Sequence, residues 1–158
     1  MTETIESGKA SVLLAESVSS VFADMAFIDV QEIFDECSST KESSGERCVT
    51  IDVLAPLSCR IELRINQVLR DKIVENLFGA APDSIQKKNG EDSLLEMLNI
   101  ITGSFLSAYF GSGTEIQLEL PQYQYFSEQS QGQNVAKVLM CAEDEPLSIT
   151  LNSVRYRY

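Results

Sequence analysis

"EDSLLEMLNIITGSF", residues 91–105, carries two patterns at once. Continued to residue 110 and wound into a helix, it places Leu94, Leu98, Ile101, Phe105 and Ala108 in one apolar stripe. That stripe must bury itself against another layer, so the stretch reads as a helix lying on a sheet. A second stripe runs through Asp92, Glu96, Asn99 and Gly103, at spacings of four, three and four residues. It is polar, and it ends in a glycine. Asn is a poor helix former because its amide competes for nearby backbone groups. Gly at a helix interior costs about 1 kcal/mol relative to Ala. Close approach of another backbone is one reason to keep it. Glu96 and Asn99 project side by side, as neighbours at i and i+3. For an isolated pattern of this kind, a solvated helix face, or a glycine kept for packing inside the domain, is the better account.

Working outward, residues 8–26 show the same helical period, with Leu14, Val18, Val21 and Met25 on one stripe and Ala15 and Phe22 beside it. Ser17, Ser20 and Asp24 are expected to face away, and Ser7 to cap the start. Residues 27–36 read as a strand, and "CSSTKESSGE" (37–46) as the connection of a hairpin. Residues 47–56 alternate, with Val49, Ile51 and Val53 opposed to Thr50 and Asp52. Residues 57–66 alternate most cleanly: Leu57, Cys59, Ile61, Leu63 and Ile65 against Arg60, Glu62 and Arg64. That is the pattern of a sheet with one wet side. Residues 67–79 form a short helix closed by Gly79. Residues 80–90 read as a connection. The strand at 114–121 is expected to turn Ile116, Leu118 and Leu120 inward. Residues 122–133 read as a polar loop, and two final strands pair around "AEDEP". The order helix, strands, helix, strands occurs twice. Within it, Glu16 and Ser19 match the spacing of Glu96 and Asn99, which suggests a degenerate internal repeat.

The chain has 158 residues, 44% of them hydrophobic, which suits one domain with a proper core and no linker. The whole of residues 1–158 is read as a single α/β (α+β) domain: two long helices and a short one on a mainly antiparallel sheet of about six strands. No run of eighteen apolar residues is present, and the acidic start is the wrong chemistry for a signal peptide, so a cytoplasmic location is expected. The formal charge of −12 argues against nucleic acid and against anionic membrane surfaces. There is no histidine. This removes Ser-His and Cys-His nucleophile pairs, His bases and His-containing zinc sites. Cys37, Cys48, Cys59 and Cys141 form no C-x-x-C pair and read as small, reduced hydrophobes rather than metal ligands.

In this setting the sequence resembles the CheX and CheC group of chemotaxis phosphatases. Their motif is Asp or Ser, then Glu, then Asn, with a proline about two dozen residues later. Here the positions are Asp92, Glu96, Asn99 and Pro121, with the proline early by about one residue. The resemblance covers most of residues 8–151. Only one Glu/Asn pair is intact, since Ser19 stands where a second Asn would, which is similar to the single-site CheX type. The resemblance implies a CheC-like fold and hydrolysis of the aspartyl phosphate of a response regulator with a CheY-like receiver. It implies no cofactor of the chain's own, with Mg²⁺ on the partner. Asn99 would place the attacking water and Glu96 would pair with the regulator's lysine, so these two are the catalytic candidates. Asp92 and Gly103 are the partner-binding candidates, although for Asp92 a helix cap is the preferred reading. A homodimer is implied too, with "TEIQLELP" or "NVAKVLMCAE" as the exposed edge. The alternative is a non-catalytic module of the same fold that binds the regulator or serves the flagellar switch.

Overall fold

The computed structural model describes residues 4–33, 46–124 and 132–154. Its elements run α1 (Ser7–Ala26), β1 (Val30–Glu32), β2 (Arg47–Ala55), β3 (Cys59–Ile65), α2 (Gln67–Phe78), a 3₁₀ turn at Pro82–Ser84, and α3 (Lys87–Phe110). Then follow β4 (Gln117–Leu118), β5 (Gln122–Gln124), β6 (Gln133–Ala142) and β7 (Glu145–Ser153). One antiparallel sheet is ordered β1-β6-β7-β3-β2-β4, with β5 also paired to β2. The alternation in the sequence becomes rows across this sheet. Val49, Leu63, Ile149 and Val138 stand in one row, and Ile51, Ile61, Leu151 and Ala136 in the next. All eight are buried, and the buried stripes of the long helices pack on them. Helix α3 has the length and mean hydropathy of a membrane span. Here it is a core helix, with Leu94, Met97, Leu98, Ile101 and Phe105 fully buried.

The two halves of the chain interleave. Helix α1 leads to β1 and α3 leads to β4, and each of these edge strands pairs with a strand of the other half, β1 with β6 and β4 with β2. Strands β3 and β7 meet at the centre. Because α1 begins at Ser7 and α3 at Lys87, Glu16 and Glu96 hold equivalent helical positions, as do Ser19 and Asn99. The order α1-β1-β2-β3 is thus repeated as α3-β4-β6-β7, with α2 and β5 lacking counterparts.

Several expectations are corrected. The segment at 27–36 does not form a hairpin with β2. Strand β1 lies at the far edge of the sheet, and the connecting residues, with Cys37, fall outside the described set. Strand β6 is flanked by β1 and β7, so it is no free edge; the edges are β1 and β4–β5. Glu62 shares the outer face with Arg60, Arg64 and the exposed Lys137, but its own side chain is covered. It is 4% exposed and is held by Cys48 Sγ–H at 2.8 Å and Arg64 Nη2 at 2.9 Å. Ser17 is buried, and Ser7 is the first helical residue rather than the cap. Ala108 is exposed, and the apolar stripe of α3 passes through Met97 and Leu106 instead.

Helix α3 also starts earlier than its sequence suggested, running through Gly90, which looked like part of a connection. The reason is space. A Cβ on Gly90 would lie 2.5 Å from Arg70 Nη2 and 3.2 Å from Val74 Cγ2, so any side chain there would have to displace the end of Arg70 where α3 meets α2. Elsewhere local signals hold. Asn66 caps α2 by accepting from the Leu69 N–H at 2.8 Å, and Gly79 closes it in the left-handed region. Glu143 and Asp144, both at positive φ, make the two-residue turn between β6 and β7.

Candidate functional site

The polar stripe of α3 is built as the spacing predicts. Asp92 and Glu96 are exposed, Asn99 and Gly103 half-buried, while Leu94, Met97, Leu98 and Ile101 hold the helix to the sheet. Asp92 is the sixth residue of the helix, not its cap; the cap position is Gln86, which makes no side-chain bond. Asp92 therefore stands one turn before Glu96 on the same face, available to a partner. Among the described residues neither Glu96 nor Asn99 is engaged by a side-chain hydrogen bond or ion pair within the chain.

Facing the stripe is the segment 118–121. Asp92, Leu95, Glu96 and Asn99 from α3, with Leu118, Glu119, Leu120 and Pro121, line an open groove of about 440 Å³. The structure thus brings Asp92, Glu96, Asn99 and Pro121 together, although Pro121 lies 22 residues beyond Asn99 in the chain. Gly103 lies at the far end of the same helix face and does not line the groove. A Cβ placed on it would meet nothing within 4 Å, so no packing inside the chain requires glycine there.

The expected strand at 114–121 is broken at this point, and the break shapes the groove. Leu118 pairs with Val53 and Gln122 with Thr50, so three residues, 119–121, span the two residues 51 and 52 of β2. Glu119 N–H still donates to the Asp52 carbonyl at 2.9 Å. Pro121 has no N–H to give and interrupts the ladder there. One extra residue makes a bulge, and a one-residue shift sends later side chains to the opposite face. Leu120, expected inward, is 83% exposed, while Tyr123 takes the inward row opposite Val49. Sequence reasoning missed Leu95, Leu118, Glu119 and Leu120 as lining residues; the proline closing an alternating run was the signal for the bulge.

The equivalent place on α1 is differently made. Glu16 is exposed, but Ser19 donates its hydroxyl to the Val30 carbonyl at 3.1 Å, and Val12 stands where α3 has Asp92. Two of the described cysteines, Cys48 and Cys59, are buried. Burial pushes the Cys59 thiol up to about 12. Burial, then the hydrogen bond to Glu62, pushes Cys48 up as well. Among the described residues no cluster of His, Cys, Asp or Glu is arranged to hold a metal ion. What the groove offers is one free carboxamide, three carboxylates (Asp92, Glu96, Glu119) and an apolar wall.

No family model and no curated protein matches the sequence. Solved structures do. The chemotaxis protein CheX from Vibrio vulnificus superposes with a TM-score of 0.72 at 15% identity, over 91% of this chain and 98% of that one. CheX in a CheX–CheY–BeF₃–Mg²⁺ complex from Borrelia burgdorferi gives 0.64 at 13%, over 89% and 95%. The FliM middle domain from H. pylori gives 0.60 at 9%, over 92% and 90%. The fold is that of the CheC/CheX/FliY group.

Proposed function

We propose that the chain is a phosphatase acting on the aspartyl phosphate of a CheY-like receiver domain. The observation that carries the reading is the unengaged Glu96–Asn99 pair on an exposed helix face, with Pro121 set against it across the groove. An acyl phosphate is already activated, so its hydrolysis calls for in-line placement of water and stabilisation of charge rather than a strong base. A protein without histidine can do this with an amide. The Asn99 carbonyl oxygen accepts a hydrogen bond from the water, and its N–H₂ donates to a phosphoryl oxygen. Water oxygen bonds to phosphorus, the bond to the aspartate oxygen breaks, and the electron pair leaves with the restored carboxylate. The water's protons go to phosphate. Glu96 pairs with a lysine of the receiver and fixes docking register. Asp92 adds negative charge beside it, and Gly103 lets the receiver's backbone approach the helix. Mg²⁺ belongs to the receiver. The complex of a structural neighbour with CheY supports the choice of partner.

A second reading, binding to a receiver or to the flagellar switch without hydrolysis, is favoured by the likeness to a FliM middle domain. Loss of phosphate from a phosphorylated receiver, measured with and without this protein, separates the two. Faster loss supports the phosphatase; binding with an unchanged rate of loss supports the module.

A further inference from the structure

Leu120 has no structural reason to be where it is. The backbone on both sides is fastened to β2: Gln117 and Leu118 pair with Ala55 and Val53, Glu119 bonds to Asp52, and Gln122–Gln124 pair with Thr50–Cys48. The bulge in front of Pro121 therefore holds a large apolar side chain out in water at a fixed place, not on a loose loop. Bulges of this kind re-aim a side chain, often next to a functional site. Leu120 forms one wall of the groove whose other wall carries Glu96 and Asn99.

The charges of the groove select what can occupy it. Its ionisable lining residues, Asp92, Glu96 and Glu119, are all acidic. An occupant must offer positive charge to these carboxylates and an apolar side chain to cover Leu120 and Pro121. A second copy of this chain, with a net charge of −12, brings the wrong sign, as does an anionic lipid surface. We propose that Leu120 is the apolar docking anchor for the receiver, seating against an apolar and lysine-bearing surface beside the phosphorylated aspartate. Leu120 thereby sets affinity and partner choice, while Asn99 sets the rate of the chemical step. The proposal rests on the receiver reading above and adds to it a residue outside the Glu/Asn/Pro pattern.

Leu120 is exposed and its neighbours are backbone-paired, so Leu120→Ala and Leu120→Asp should fold. The probe is a CheY-type receiver from the same organism. It is kept phosphorylated with acetyl phosphate for turnover, or loaded with beryllofluoride and Mg²⁺ for binding. Leu120→Ala should raise the half-saturating receiver concentration about tenfold while turnover at saturation holds, as expected for loss of one buried leucine contact. Leu120→Asp should raise it further, by adding a fourth carboxylate. Leu139→Ala, an equally apolar change at a residue 53% exposed on β6, should leave both values alone. If Leu120→Ala matches the unsubstituted protein in half-saturation and binding while Asn99→Ala is inactive, the anchor is overturned and the phosphatase reading stands. If the protein binds the beryllofluoride receiver through Leu120 but releases no phosphate, the anchor stands and hydrolysis is overturned. If it neither binds nor dephosphorylates the receivers of its organism, both are overturned.

Discussion

Replacing Gly103 by Ala should make the protein more stable and a poorer binder. Gly103 lies well inside α3, and an added Cβ would meet no atom within 4 Å. With no clash to offset it, the gain is that of Gly→Ala at a helix interior, about 0.8–1 kcal/mol, part of it from a less flexible unfolded chain. For a domain of this size that is a rise in melting temperature of about 2–4 °C. Gly90 is the internal control. It sits in the same helix, but its Cβ would press on the buried Arg70 guanidinium and on Val74, so Gly90→Ala should melt lower. Urea and thermal unfolding of the two variants give the stability terms. Binding to a beryllofluoride-loaded receiver gives the functional one, and should weaken from Gly103→Ala to Gly103→Leu. A stabilised Gly103→Ala that binds as tightly as before would remove Gly103 from the interface. A destabilised one would show that the helix face at this position packs inside the domain after all.

Glu96→Lys should leave the fold unchanged and weaken receiver binding by charge reversal; unchanged binding in a titration would make Glu96 a solvated helix residue. Ser19→Ala should lose about 1 kcal/mol, from the hydrogen bond to the Val30 carbonyl, and keep full phosphatase activity. An inactive but folded Ser19→Ala would reveal a second working site on α1. The native Cys59 thiol keeps its proton up to about pH 12, whereas the unfolded thiol loses it near 9.0. The native state thus binds more protons in that window, so stability falls as pH rises from 9 toward 12, by up to about 1.4 kcal/mol per pH unit for this thiol. In urea unfolding between about pH 8 and pH 10.5, Cys59→Ala should lose less stability than the unsubstituted protein; equal losses would contradict the shift.

What was legible in the sequence was whatever a local period determines. Ile61, Leu63 and Ile65 alternate because β3 is central and packs its inner face under the helices, and the stripe Leu94, Leu98, Ile101, Phe105 repeats because α3 lies on that sheet. Glu96 and Asn99 were legible for the same reason: a helix fixes which residues share a face. Non-local choices were not legible. Nothing in residues 27–36 tells β1 to pair with β6, 110 residues further on, rather than with β2. Gly90 looked like a breaker because its use, close approach to Arg70, exists only once α2 and α3 pack. Leu120 was placed inward because period-two reasoning assumes an unbroken ladder, and the ladder is broken between Leu118 and Gln122.

The central claim is that Asn99 places the water that removes phosphate from a receiver. It is tested most directly by phosphate loss from a phosphorylated CheY-type receiver with Asn99→Ala, alongside circular dichroism and beryllofluoride-receiver binding. The account predicts an unchanged fold, retained binding, and dephosphorylation slowed by about 10² or more, as for removal of a key stabilising donor. Dephosphorylation by Asn99→Ala at the rate of the unsubstituted protein would contradict it.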